Sequence, residues 1–291
     1  MSGFAAPIVV GVDGSACALT AVNWAARECV RHHVPLRLVH GYELPVRGYP
    51  EILMAAHEVR GAIEEQGRTW LAEAETAARA AAPAVEVWTD LVEQGATPLL
   101  IEESQQARLV VLGSQGLGGF TGLLAGSTAV ALTAHGRCPV VVVRGTDSEV
   151  GPVVVGVDGS PASEAAIGFA FEAASARDAP LTAVLTWTDF LVETGYGTPR
   201  PAIDWAQVEN DELRLLAERL AGWQEKYPDV HVDRLVVRDR PVRALLGLAE
   251  HARLLVVGSR GHGGFTGMLL GSTSQALVYH SPCPLAIVRP L

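Results

Sequence analysis

The feature that most constrains this chain is an internal repeat. Val9-Val10-Gly11-Val12-Asp13-Gly14-Ser15 returns unchanged as Val154-Val155-Gly156-Val157-Asp158-Gly159-Ser160, a step of 145 residues. A longer block running from Gly113-Ser114 to Gly126-Ser127-Thr128 returns at the same step from Gly258-Ser259 to Gly271-Ser272-Thr273, and Cys138-Pro139 returns as Cys283-Pro284. One step shared by three separated blocks means two duplicated domains with almost no net insertion, and it is too long for solenoid units. The 291 residues give each copy enough chain for its own core. We expect domains over 1–145 and 151–291, joined through the polar stretch Gly145-Thr146-Asp147-Ser148-Glu149.

Within each copy, short apolar runs alternate with longer helical patterns, the signature of βα units feeding a parallel sheet. The expected strands of the first copy are 8–12, 36–40, 85–91, 109–112 and 140–143, with equivalents beginning near Val153, Leu181, Val230, Leu254 and Leu285. Leu109-Val110-Val111-Leu112 is apolar at every position, as expected when helices cover both sheet faces. The pattern predicts helices over 55–82 and over 211–226, the latter with Leu213, Leu216 and Leu220 on one face. His135 and His280 fall late in the last helix of each copy, where a cation favours the helix dipole. The fold class is α/β, each copy a five-stranded parallel doubly wound sheet.

Charge and cysteine usage narrow the functions. With 22 basic against 32 acidic residues the formal charge is −10, and no Lys/Arg block offers a phosphate-backbone footprint, so nucleic acid is not an expected partner. No apolar run reaches membrane-spanning length and the N-terminus lacks a signal pattern, so a cytoplasmic location is expected. Four cysteines without C-x-x-C spacing read as buried thiols.

The repeated blocks stand at strand ends, where ligands bind in open parallel sheets. Gly113, Gly116 and Gly126, and likewise Gly258, Gly261 and Gly271, let backbone approach an anion closely. Ser127, Thr128, Ser272 and Thr273 add hydroxyls at what should be a helix N-terminus. Ser114, Ser259 and Ser274 belong to the same loops, and Gly118-Gly119 and Gly263-Gly264 suggest a flap over phosphates. Gln115 and Leu117 correspond to Arg260 and His262, so the second loop carries an added positive charge. Gly11, Asp13, Gly156 and Asp158 close the other side. Each aspartate has two readings, a ligand contact or merely a cap of the following helix, with Ser15 and Ser160 as competing N-caps.

Glycine, two residues, glycine, nine residues, then Gly-Ser resembles the nucleotide-binding pattern of ATP-binding universal stress proteins, and the chain carries it twice. The resemblance extends to the Val-Gly-Val-Asp-Gly-Ser strand ends and the strand order, and so to nearly the whole chain. It implies tandem Rossmann-like domains of the adenine nucleotide alpha hydrolase-like kind, ATP as ligand with or without Mg2+, a role as a stress-response regulator, and a homodimer paired through strands 140–143 or 285–288. It implies an adenine near the second strand end, where Tyr42, Trp187 and Asp189 stand, with Asp13 and Asp158 at the adenine or ribose. The sequence has no G-x-x-x-x-G-K-[ST] loop and no metal-ligand spacing, so efficient turnover is not expected. The alternative is a slow ATPase or nucleotide-transferring enzyme.

Overall fold

The computed structural model describes residues 5–44, 50–116, 125–187, 205–261 and 269–290. The chain divides into two compact units, Met1–Arg144 with Leu291, and Gly145–Pro290.

In the first unit the chain runs β1 (Ile8–Gly11), α1 (Ala16–His32), β2 (Leu36–Gly41), α2 (Pro50–Ala81), β3 (Val87–Val92), α3 (Ala96–Glu103), β4 (Leu109–Gly113), α4 (Ser127–His135) and β5 (Val140–Val143). The strands pair in parallel in the order β3-β2-β1-β4-β5. Ile8, Val9 and Val10 of β1, Val110 and Val111 of β4, and Val141 and Val142 of β5 are fully buried, as expected of parallel strands whose faces are covered by helices. β3 ends the order and is only half-buried. Helix α1 packs through Ala18, Ala21, Val22, Ala25, Ala26 and Cys29, a stripe at the 3.6-residue period. It ends at His33, whose left-handed backbone lets its N–H reach the carbonyls of Cys29 and Val30.

The second unit repeats the plan: β6 (Val153–Val157), α5 (Pro161–Ser175), β7 (Leu181–Trp187), α6 (Trp205–Lys226), β8 (Val232–Arg238), α7 (Pro241–Ala249), β9 (Leu254–Gly258), α8 (Ser272–His280) and β10 (Leu285–Val288). Its parallel order is β8-β7-β6-β9-β10. In each unit the order reverses between the first strand and the fourth, which opens a crevice at their carboxyl ends.

Element ends shift from the sequence expectation for identifiable reasons. β3 starts at Val87 because the Val85 N–H is taken by Ala82 O in the turn leaving α2, and the Val230 N–H is likewise taken by Tyr227 O before β8. Both valines are buried, so hydrophobicity alone extended the expected strands backwards. α2 and α6 begin at Pro50 and Trp205, earlier than expected. Leu216 and Leu220 of α6 are fully buried, whereas Leu213 is half-buried. His135 and His280 are the last residues of α4 and α8.

Candidate functional site

The site of the first unit is built where β1 and β4 lie side by side. β1 leads into Val12-Asp13-Gly14-Ser15, a turn that needs positive φ at Gly14, +81°. The Trp70 indole from α2 lies against Gly14 and meets the His40 ring edge-on at 5.2 Å. His40 Nδ1 lies 2.6 Å from Val12 O, which fastens the end of β2 to the end of β1. Asp13 Oδ1 accepts the Ser15 N–H at 3.0 Å, and Ser15 Oγ accepts the Ala18 N–H at 3.1 Å. The serine is therefore the cap of α1 and the aspartate shapes the turn. Asp13 Oδ2 lies against the Cα of Gly116, where a methyl group would collide with it. The second unit repeats this through Asp158, Ser160, Ser163 and Gly261, with Gly159 also at φ +81°. There the Arg219 guanidinium takes the place that Trp70 holds in the first unit.

On the other side, β4 ends at Gly113. Ser114 N–H donates to Val143 O, and Gly126 N–H donates to Ser114 O at 2.8 Å, which brings the two ends of the glycine-rich loop together. Gly126 is the N-cap of α4 with extended backbone and no side-chain cap, and the first turn carries no acid. The first-turn N–H groups of α4 have no intrahelical partner and sit at the positive end of the dipole. In the second unit Gly271 stands at the start of α8 in the same way, with its N–H on Ser259 O.

Between these walls lies a cavity of about 450 Å³, within the range of small-molecule sites. Val12, Val39, Ala96, Leu99 and Leu100 give it apolar lining, while Gly116, Gly126, Ser127 and Thr128 supply hydrogen-bonding groups. Gly11, Asp13, Gly113 and Gln115 also line it, so most of the sequence-expected set of the first unit surrounds one space.

Several members have other engagements. Thr128 Oγ1 is 3.0 Å from Thr97 Oγ1 of α3. Thr97 and the α3 lining residues were not expected from the sequence, since only tertiary packing brings them to the loop. Ser274 Oγ donates to Gly258 O at 2.7 Å, so its hydroxyl braces β9. Ser259 is fully buried and its hydroxyl has no partner among the described residues. Arg260 is exposed, and Gly156, one residue before the end of β6, is packed against Leu245 and Val257. Gly118, Gly119, Asp189, His262, Gly263 and Gly264 lie outside the described residues.

Tyr42, just beyond β2, donates its hydroxyl to Glu64 Oε1 at 3.0 Å, and Arg68 binds the other oxygen of Glu64 at 2.8 Å. Desolvation, then the Glu64 carboxylate, raises the Tyr42 phenol above its ordinary pKa. The Tyr42 hydroxyl, then Arg68, holds Glu64 below the usual carboxylate value. In the second unit Trp187 carries the Arg238 guanidinium over its ring at 5.4 Å. No group of three or more His, Cys, Asp or Glu among the described residues is arranged to hold a metal ion, and no described helix is long and apolar enough to cross a membrane.

The duplicated doubly wound unit with a glycine-lined crevice at its switch point defines the class: the chain belongs to the universal stress protein family, whose family model matches residues 6–144 and 149–289. More particularly, it is 39% identical to a universal stress protein of Mycobacterium tuberculosis (strain ATCC 25618 / H37Rv), over 97% of this chain and 96% of the relative. It is 40% identical to one of Mycolicibacterium smegmatis (strain ATCC 700084 / mc(2)155), over 97% of each. The crystal structure of a universal stress protein from Archaeoglobus fulgidus DSM 4304 shares the fold, with a TM-score of 0.69 at 17% identity over 99% of this chain and 97% of that one.

Proposed function

We propose that each unit binds one adenine nucleotide, with ATP as the working ligand, and that occupancy makes the protein a nucleotide-dependent regulator in stress adaptation. The observation that carries this reading is the start of α4. A glycine-capped helix N-terminus, with no acid in its first turn, lines a cavity of about 450 Å³ that also has apolar lining from Val39, Leu99 and Leu100. Phosphates are stabilised by the unpaired N–H groups and the dipole, and a flat base gains from the surface of Val39, Leu99 and Leu100. In this reading Asp13 accepts a hydrogen bond from a ribose hydroxyl or an amine. Any Mg2+ would come with the phosphates of the nucleotide and its waters. Ligand binding that orders the glycine loop shifts the conformations presented to a partner, which is the logic of a sensor. The proposal includes a cytoplasmic homodimer.

Calorimetric titration of the nucleotide-stripped chain with ATP tests the binding reading, and incubating excess protein with labelled ATP tests turnover. Saturable binding to two sites per chain with the label retained as ATP is the expected outcome. Absence of binding at millimolar ATP overturns the nucleotide reading, and rapid release of labelled phosphate favours the hydrolase.

A further inference from the structure

The two capping serines make a second bond that their role in α1 and α5 does not require. Ser15 Oγ, while accepting from Ala18 N, donates to Gln115 O at 3.3 Å, across 100 residues of chain. Ser160 Oγ accepts from Ser163 N and donates to Arg260 O at 3.2 Å. A hydroxyl has one proton and two lone pairs, so both bonds form at once. The acceptor is a backbone carbonyl, which is why the geometry survives the change from Gln115 to Arg260. We infer that Ser15 and Ser160 are positioning residues that latch the glycine loops for anion binding; the inference rests on the nucleotide reading above.

The latch acts through a peptide plane. In a trans peptide the C=O and the following N–H point in opposite directions. Turning Gln115 C=O toward Ser15 therefore turns the Gly116 N–H to the opposite side of the loop. Gly116 lines the cavity, and its N–H has no hydrogen-bond partner among the described residues. Gly261 N–H is unpaired in the same sense behind Arg260. The same turn holds Asp13 Oδ2 and Asp158 Oδ2 against these glycines, so serine, aspartate and loop form one unit in each half. Without the hydroxyl proton, the peptide is free to rotate and the donor loses its aim.

Capping and latching separate cleanly by substitution. Aspartate and glycine both serve as N-caps, one charged and one neutral, yet neither can donate from the hydroxyl position; threonine can do both. The experiment compares the full chain with Ser15 and Ser160 replaced together by Asp, by Gly and by Thr. It reads melting temperature, hydrogen exchange of the Gly126 and Gly271 amides, which donate to the loop carbonyls Ser114 O and Ser259 O, and ATP affinity by titration. We expect the Asp and Gly variants to melt within a few degrees of the parent, to exchange these amides several-fold faster, and to bind ATP about fivefold more weakly, the scale of one neutral hydrogen bond. Thr should restore both readouts. Unchanged exchange in the Asp and Gly variants overturns the latch. A loss of affinity in Asp alone also overturns it, because added charge then explains the effect. If the parent binds no ATP, the nucleotide reading fails while the exchange comparison still decides the latch.

Discussion

The three glycines of each loop motif should fail for different reasons, and alanine substitution separates them. A methyl group at Gly113 would stand 2.6 Å from the carbonyl carbon and oxygen of Cys17 and 2.9 Å from Ala18 N. All three are backbone atoms at the start of α1, and normal contact requires most of an ångström more. The helix start must move away from β4, an overpacking that costs about 3 kcal/mol, or a melting shift of about 6–12 °C for a unit of this size. At Gly126 the atom nearest to an added methyl group would be Ser114 O at 3.7 Å, and the backbone at φ −69° and ψ 146° suits any residue. There Gly126→Ala costs only the difference between glycine and alanine as N-caps, about 0.5–1 kcal/mol. Because Gly126 lines the cavity, its methyl group would occupy space beside the orphan N–H groups. Scanning calorimetry and ATP titration of the two variants give the answer. We expect Gly113→Ala to melt early, and Gly126→Ala to melt near the parent but bind ATP at least tenfold more weakly in the first unit. Full ATP affinity in a stable Gly126→Ala protein would refute the claim that this glycine is there for close approach of a ligand.

Three further outcomes follow from the same structure. Burial raises the thiols of Cys29, Cys138 and Cys283, the last two to about 12 and about 11, while Cys17 is half-exposed; a thiol reagent at pH 8 should label one cysteine per native chain and four after denaturation, and labelling of a second in the native state would contradict this packing. Glu64 is lowered by the Tyr42 hydroxyl and Arg68, so its contribution to stability is present above the ordinary glutamate pKa of 4.5 and is lost as pH falls through the lower folded value; the stability gap between parent and Glu64→Gln should close in acid, and a gap that widens there would be the wrong sign. Arg260 is exposed at the second loop where the first has Gln115; Arg260→Gln should weaken triphosphate binding at the second site several-fold and flatten its salt dependence, and an unchanged titration would remove the charge from the account.

Much of this was legible because the repeat and the apolar runs report on burial, which is what the strands β1, β4 and β5 share. The position of the crevice followed from where the constant step placed Gly11 and Gly113, at the carboxyl ends of neighbouring strands. What the sequence did not carry is contact made by packing. Trp70 reaches Gly14 from α2, and Thr97 reaches Thr128 from α3, through helices whose placement no local pattern encodes. Residue type also hid role: Gly113 makes room for a helix and Gly126 opens a cavity, though the motif writes them alike. Ser15 could be read as an N-cap, but its bond to Gln115 O depends on the loop returning from β4.

The most direct test of the central claim is the amount and identity of nucleotide released when the freshly purified native chain is denatured, read by mass spectrometry. The account predicts close to two ATP per chain, falling stepwise in Gly116→Ala, Gly261→Ala and the double variant, each of which drives a methyl group into the Asp13 or Asp158 carboxylate. A parent chain that releases no nucleotide and takes up none when ATP is added would contradict it.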